Sequence, residues 1–224
     1  MSLNIAMDGP VGAGKSSIAD AAAARLGILH LDTGAMYRAL GLKVLREGID
    51  PADEEKVVAV SEKLNLDVRV GEKGQETLLD GEDVSALIRT PEVSMAASTV
   101  SRYGQVRRRM VALQQELART RDMIVDGRDI CTTVLPDAPV KIYLTASAEE
   151  RARRRWLQMQ EQGEKATLEE VLAQVRARDD QDMNRPVEPL RQAEDAVLLD
   201  STDLSFDQVV DRIVELACGA APGC

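Results

Sequence analysis

The segment Gly9-Pro10-Val11-Gly12-Ala13-Gly14-Lys15-Ser16 constrains this chain more than any other. A short apolar run, Leu3 to Asp8, precedes it, and an alanine-rich stretch, Ser16 to Leu26, follows and stops at Gly27. That setting predicts a buried parallel strand, a glycine-rich loop and a helix. Glycines let successive backbone N–H groups turn inward around an anion, and the helix start aims its positive dipole end at the same point. In this pattern the lysine, Lys15, reaches the β- and γ-phosphates of a nucleoside triphosphate, most simply ATP. The Ser16 hydroxyl ligates Mg²⁺, which also takes phosphate oxygens and waters.

The remaining chain alternates strands and helices. Ile28–Leu31 reads as a strand, Thr33–Arg46 as a helix, Met123–Val125 and Val140–Leu144 as strands, Ala148–Gln162 as a helix and Ala196–Leu199 as a last strand. Arg102–Thr120 is helical, with Val106, Met110, Leu113 and Leu117 on one face. Thr167 with Glu170, and Ser205 with Gln208, are capping boxes, the second opening a helix through Cys218. This alternation predicts a parallel sheet with helices on both faces. Residues 53–100 interrupt it. After a helix over Glu54–Leu64, the period-two run Leu66, Val68, Val70 and the strand Thr77–Leu79, separated by glycine turns, predict a small antiparallel sheet inserted into the core.

Composition removes several function classes. The net charge of −10 and the 2 % aromatic content argue against a general nucleic-acid binder, and no apolar run is long enough to span a membrane. Three scattered cysteines, Cys131, Cys218 and Cys224, do not suggest a disulfide framework, and the N-terminus lacks the pattern of a signal peptide. The expectation is a cytoplasmic protein, with His30, the one histidine, in a structural role beside the sheet. The acidic total conceals a local excess. Residues 102–191 hold 15 of the 21 arginines, which suits a ligand that is itself a small polyanion.

A phosphate loop alone does not separate kinases, GTPases and motor ATPases. The chain lacks an Asn-Lys-x-Asp guanine-reading motif, and Asp126, which ends the strand after Met123, has no acidic neighbour to activate water. Arginines near strand ends favour a second phosphorylated substrate. Thr33 and Arg38 are placed to face one phosphate, although Thr33 also suits a helix N-cap. Arg178, Asp182 and Arg185 sit at i, i+4 and i+7, so a helix puts all three on one face; they suit phosphate and ribose, or else a solvated salt-bridge ladder. Arg151, Arg154 and Arg155 share a face that reads as solvated by default.

The segments GPVGAGKSS (9–17), LDTGAMYRAL (31–40), DGEDVSALIRTPEVSMAAS (80–98), DGRDICTTVLPDAPVKIYLTAS (126–147), RARDDQDMNRPVEPL (176–190) and LDSTDLS (199–205) together resemble the bacterial cytidylate kinases, P-loop kinases of CMP and dCMP. The resemblance runs from Ile5 to about Cys218. It implies a P-loop NTPase-type core of five parallel strands in one kinase domain, 1–218. Within that domain lie a monophosphate-binding insert at about 53–100 and a helical lid at about 151–185, and a tail follows at 219–224. It implies that Gly9 through Ser17, with Arg154 from the lid, hold ATP, and that the segment 200–205 passes near the adenine. It places Thr33, Arg38, Arg128 and Arg185 around the acceptor phosphate, Arg178 and Asp182 on the sugar, and Ser98, Arg107 and Asp129 on the cytosine. Lys15, Arg128 and Arg185 would support the moving phosphoryl group. Gln181 and Met183 stand where some relatives carry arginines. A monomer acting on small molecules, with no nucleic-acid or membrane partner, is expected.

Overall fold

The computed structural model describes residues 3–71, 74–161 and 163–220. In chain order its elements are β1 (Asn4–Asp8), α1 (Lys15–Leu26), β2 (Leu29–Asp32), α2 (Thr33–Arg46) and α3 (Glu54–Glu62). There follow β3 (Leu66–Gly71), β4 (Gly74–Leu79), β5 (Glu82–Asp83), α4 (Pro91–Val100) and α5 (Gly104–Thr120). The chain closes with β6 (Met123–Gly127), β7 (Val140–Thr145), α6 (Ala148–Glu161), α7 (Leu168–Met183), β8 (Val197–Asp200) and α8 (Phe206–Ala220). One five-stranded sheet has the order β2-β6-β1-β7-β8, with every pairing parallel. The second sheet, β3-β4-β5, is antiparallel.

Both faces of the parallel sheet are covered, as its continuous apolar strands require. Along β1, Ile5 and Met7 join Ile124, Ile142 and Leu144 under α1 and α8, while Ala6 turns the other way with Leu31 and Val125 towards α2 and α5. Ile5, Met7, Ile124 and Ile142 are fully buried, and each contributes about 1.5–3 kcal/mol by leaving water. The small side chains of Ala19, Ala22 and Ala23 let α1 lie close against Val209, Val210 and Ile213 of α8. Gly27, at φ 67°, ends α1 by donating its N–H back to Ala23 and Ala24. A separate small core of Ala152, Val171 and Val175 holds α6 to α7.

Several expected boundaries shift. Helix α4 was not expected, although Thr90 caps it through Val93 N–H and Pro91 starts it. Helix α5 begins at Gly104 rather than Arg102. Gly219 and Ala220, expected in a tail, extend α8, while 221–224 and Gln162 lie outside the described residues. Both expected capping boxes form, at Thr167–Glu170 and Ser205–Gln208. Cys131 is a buried free thiol, and Cys218 is disulfide-bonded.

Candidate active site

The parallel strands deliver their carboxyl ends to one edge of the sheet, where ligands of open α/β folds bind. Registration sets Asp8 beside Gly127 and Asp32 beside Asp126 along that edge. The glycine-rich loop leaves β1 there. Gly9 must lack a side chain, because a Cβ would lie 1.9 Å from the Leu144 carbonyl oxygen. Gly14 occupies the left-handed region at φ 83° as α1 begins, and no side chain caps this N-terminus. The first-turn N–H groups of α1 therefore stay available to an anion.

Lys15 is buried, and its ammonium donates to the carbonyls of Gly9 at 2.8 Å and Pro10 at 3.0 Å. Burial, helped by the neighbouring Arg128 charge, pulls its pKa down to about 7. The Ser16 hydroxyl donates to Asp126 Oδ2 at 2.9 Å, and the other Asp126 oxygen meets His30 Nε2 at 3.1 Å. His30 Nδ1 in turn meets Asp20 at 2.7 Å. Burial opposes the charge on His30, but the two carboxylates outweigh it and push the imidazole up to about 10. The same contact outweighs burial at Asp126 and holds its carboxyl below the ordinary range. His30 thus bridges Asp20 of α1 and Asp126 of β6. Asp8 is buried too and accepts N–H groups from Ile130 and Cys131, each at 2.8 Å; burial raises it to about 6.

Among the described residues no group of three or more His, Cys, Asp or Glu is arranged to hold a metal. A hydroxyl and an ionised carboxylate 2.9 Å apart at the loop are hard oxygen donors that fit Mg²⁺, provided phosphate and water complete its shell.

Seven of the expected acceptor-site residues are joined by polar contacts, and four of them, Ser98, Arg178, Asp182 and Arg185, line a cavity of about 460 Å³ with Ser101 and Arg102. Arg128 Nε donates to Asp182 Oδ2 at 2.7 Å; Arg178 approaches the other Asp182 oxygen at 3.4 Å and donates to Ser98 Oγ at 3.2 Å. Asp129 accepts from Arg107 at 2.5 Å and Arg185 at 3.1 Å. Asp182 is buried, yet the arginines around it, Arg128 first, hold its carboxyl below the ordinary range. The shared helix face expected for Arg178, Asp182 and Arg185 is corrected: α7 ends at Met183 and Asn184 caps it, so Arg185 reaches the cavity from the following loop. Thr33 is not the N-cap of α2. Asp32 takes that place through Ala35 N–H, and Thr33 is buried and donates to the Asp126 carbonyl at 2.8 Å. Arg38 turns onto Asp32 at 2.7 Å and stays outside the linked set.

Helix α6 brings one arginine to the phosphate loop. Arg151, expected on a solvated face, is buried; it donates to the Val11 carbonyl at 2.9 Å and is clamped by both oxygens of Asp179. Arg154 instead holds Glu150 and the Ser201 carbonyl, the latter at 2.7 Å, and Arg155 is exposed. Asp8, Asp126, Arg151, Asp179 and Glu188 therefore stand in the site without having been assigned from sequence. Asp8 and Asp126 carried a signal, each as the acidic end of an apolar strand.

A glycine-rich loop between β1 and α1, on a five-stranded parallel sheet beside a second cavity lined with arginines, defines a P-loop phosphotransferase. The sequence profile of the family described as cytidylate kinase matches residues 5–218. The cytidylate kinase of Caldicellulosiruptor bescii is 50 % identical over 214 residues, covering 96 % of this chain and 95 % of the relative. That of Desulfitobacterium hafniense is 48 % identical over 96 % of this chain and 92 % of its own. The chain belongs to the cytidylate kinase family. A solved structure of an uncharacterised protein from Eubacterium ventriosum, at 12 % identity and a TM-score of 0.51 over 96 % of this chain and 98 % of its own, shares the fold.

Proposed function

We propose that this protein transfers the γ-phosphoryl group of ATP to CMP or dCMP, forming ADP with CDP or dCDP. The observation that carries the reading is the linked set Ser98–Arg178–Asp182–Arg128 with Arg107–Asp129–Arg185, a second polar site whose Arg128 and Asp182 charges act on Lys15 of the phosphate loop. Carboxylates neutralise its guanidinium groups in place, so the arginines are oriented before an anion arrives.

In this reading Gly9–Ser17 and Arg154 hold ATP, and Thr33, Arg38, Arg128 and Arg185 surround the acceptor phosphate. Arg178 and Asp182 take the sugar, and Ser98, Arg107 and Asp129 read the base. Arg38 leaves Asp32 to reach the phosphate. The insert at about 53–100 carries the acceptor side, and the segment at about 151–185 acts as the lid, whose closure excludes water. The acceptor's attacking oxygen is already anionic, so no strong general base is needed. The difficulty is charge: Lys15, Arg128 and Arg185 offset the repulsion of two polyanions and support the in-line transfer. Mg²⁺, which Ser16 beside Asp126 would hold, would supply positive charge that offsets the negative charge of the nucleotide phosphates. The acceptor cavity needs residues from one chain only, which supports a monomer; use of ATP supports a cytoplasmic location.

The test is acceptor-dependent ADP release with CMP, dCMP, UMP and AMP. CMP and dCMP should give the highest kcat/KM. A clear preference for AMP, or nucleotide binding with no acceptor-dependent release, overturns the reading.

A further inference from the structure

Glu188 is one of two non-glycine residues with positive φ among the described residues, at φ 51°. It also precedes Pro189. A residue before proline is sterically driven towards extended backbone, and a glutamate has no intrinsic reason to adopt the left-handed region. The conformation persists only where surrounding contacts impose it. Those contacts are two arginines of the acceptor site. The Glu188 carboxylate accepts from Arg107 Nε at 2.5 Å, and the Glu188 main-chain carbonyl accepts from Arg185 Nε at 2.5 Å.

These bonds close a ring. Arg107 donates through Nη2 to one Asp129 oxygen, and the other Asp129 oxygen accepts from Arg185 Nη2 at 3.1 Å. Arg185 then meets the backbone of Glu188, whose side chain returns to Arg107. The Arg107 guanidinium also lies 5.8 Å from the Tyr37 ring centroid, and its remaining Nη1 bonds the Ser101 carbonyl at 3.4 Å. The left-handed turn is what lets one residue present its carboxylate to one arginine and its carbonyl to another.

The geometry points to Glu188 as a positioning residue that fixes the spacing between the base-facing Arg107 and the phosphate-facing Arg185. This rests on the acceptor-site reading proposed above. Asp129 joins the two arginines by one carboxylate, and Arg107 has besides it only the long 3.4 Å bond to the Ser101 carbonyl and the Tyr37 ring; Glu188 adds a short tether to each arginine at its Nε. The pocket thereby sets the base-to-phosphate distance of its acceptor, and Arg107, neutralised by two carboxylates, meets a neutral base edge rather than a second anion.

The test separates side chain from backbone. Glu188→Gly removes the carboxylate but tolerates the left-handed turn, and Glu188→Gln keeps an acceptor oxygen for Arg107. Steady-state kinetics with CMP and ATP, and calorimetric binding of CMP, are measured on both, with Arg107→Ala as the control. Glu188→Gly should raise the KM and Kd for CMP about tenfold, the worth of one hydrogen bond to a charged group, with the KM for ATP unchanged. Glu188→Gln should recover most of that loss. An unchanged or lower KM for CMP in Glu188→Gly, while Arg107→Ala damages CMP use, overturns the role of Glu188 alone; a lower value would mark its carboxylate as a competitor of the acceptor. An Arg107→Ala variant that binds CMP normally overturns the assignment together with the acceptor-site reading beneath it.

Discussion

The Ser16 hydroxyl donates to Asp126 at 2.9 Å and thereby ties the first turn of α1 to the carboxyl end of β6, 110 residues along the chain. That bond places an ionised carboxylate directly behind the hydroxyl expected to meet Mg²⁺. Asp126→Asn should therefore raise the Mg²⁺ concentration for half-maximal activity and lower kcat/KM by about 10- to 100-fold, as for other outer partners of metal ligands. A magnesium titration at saturating nucleotide reads this directly; an unchanged midpoint would separate Asp126 from the metal.

The His30 contacts predict a pH dependence of stability. The imidazole is pushed from 6.5 up to about 10 by Asp126 and Asp20 against the cost of burial. A raised folded-state pKa means that the folded protein keeps a proton which the unfolded chain releases. The contribution is full below about pH 6.5 and disappears as pH rises through about 10. Across that window it lowers the unfolding free energy by up to about 1.4 kcal/mol per pH unit. Denaturant unfolding between pH 6 and 10 should show this decline in the parent protein and a flatter profile in His30→Gln. Equal slopes would refute a charged His30.

Arg185→Ala should lower kcat/KM for CMP by on the order of 10²–10³, since the residue would support both acceptor binding and the transferring charge. The KM for ATP should change far less. Equal losses for both nucleotides would place Arg185 at a shared position instead.

Asp182 is buried between Arg128 and Arg178. Asp182→Ala leaves both guanidinium groups without that partner, so activity should fall with CMP and dCMP alike. The two losses should differ if Asp182 meets the sugar, because only ribose carries the 2′-hydroxyl. Parallel kcat/KM measurements decide it, and identical losses would remove Asp182 from the sugar contact.

What was legible in the sequence was what short spacing encodes. The loop from Gly9 to Ser16 needs glycines at fixed offsets from a lysine, and the capping boxes at Thr167 and Ser205 need partners three residues on. The period-two run from Leu66 gave the antiparallel strands. What escaped depended on contacts between distant segments. Arg185 looked helical from its i+7 spacing, although Asn184 and Pro186 together mark the end of α7 at Met183. Arg151 carries the composition of a solvated face, yet Asp179 and the Val11 carbonyl bury it. Thr33 looked like a cap, but the preceding Asp32 reaches Ala35 N–H and frees Thr33 to bond the end of β6. Glu188 precedes proline, the context least expected to hold a left-handed residue, and only the two arginines explain it.

The central claim is phosphoryl transfer between two nucleotides organised by Lys15, and following the label tests it most directly. With γ-³²P-ATP and CMP, the parent protein should move the label into CDP with little free phosphate, and Lys15→Ala, folded by circular dichroism, should form essentially none. Label released as inorganic phosphate without labelled CDP, or substantial CDP formation by Lys15→Ala, would contradict the account.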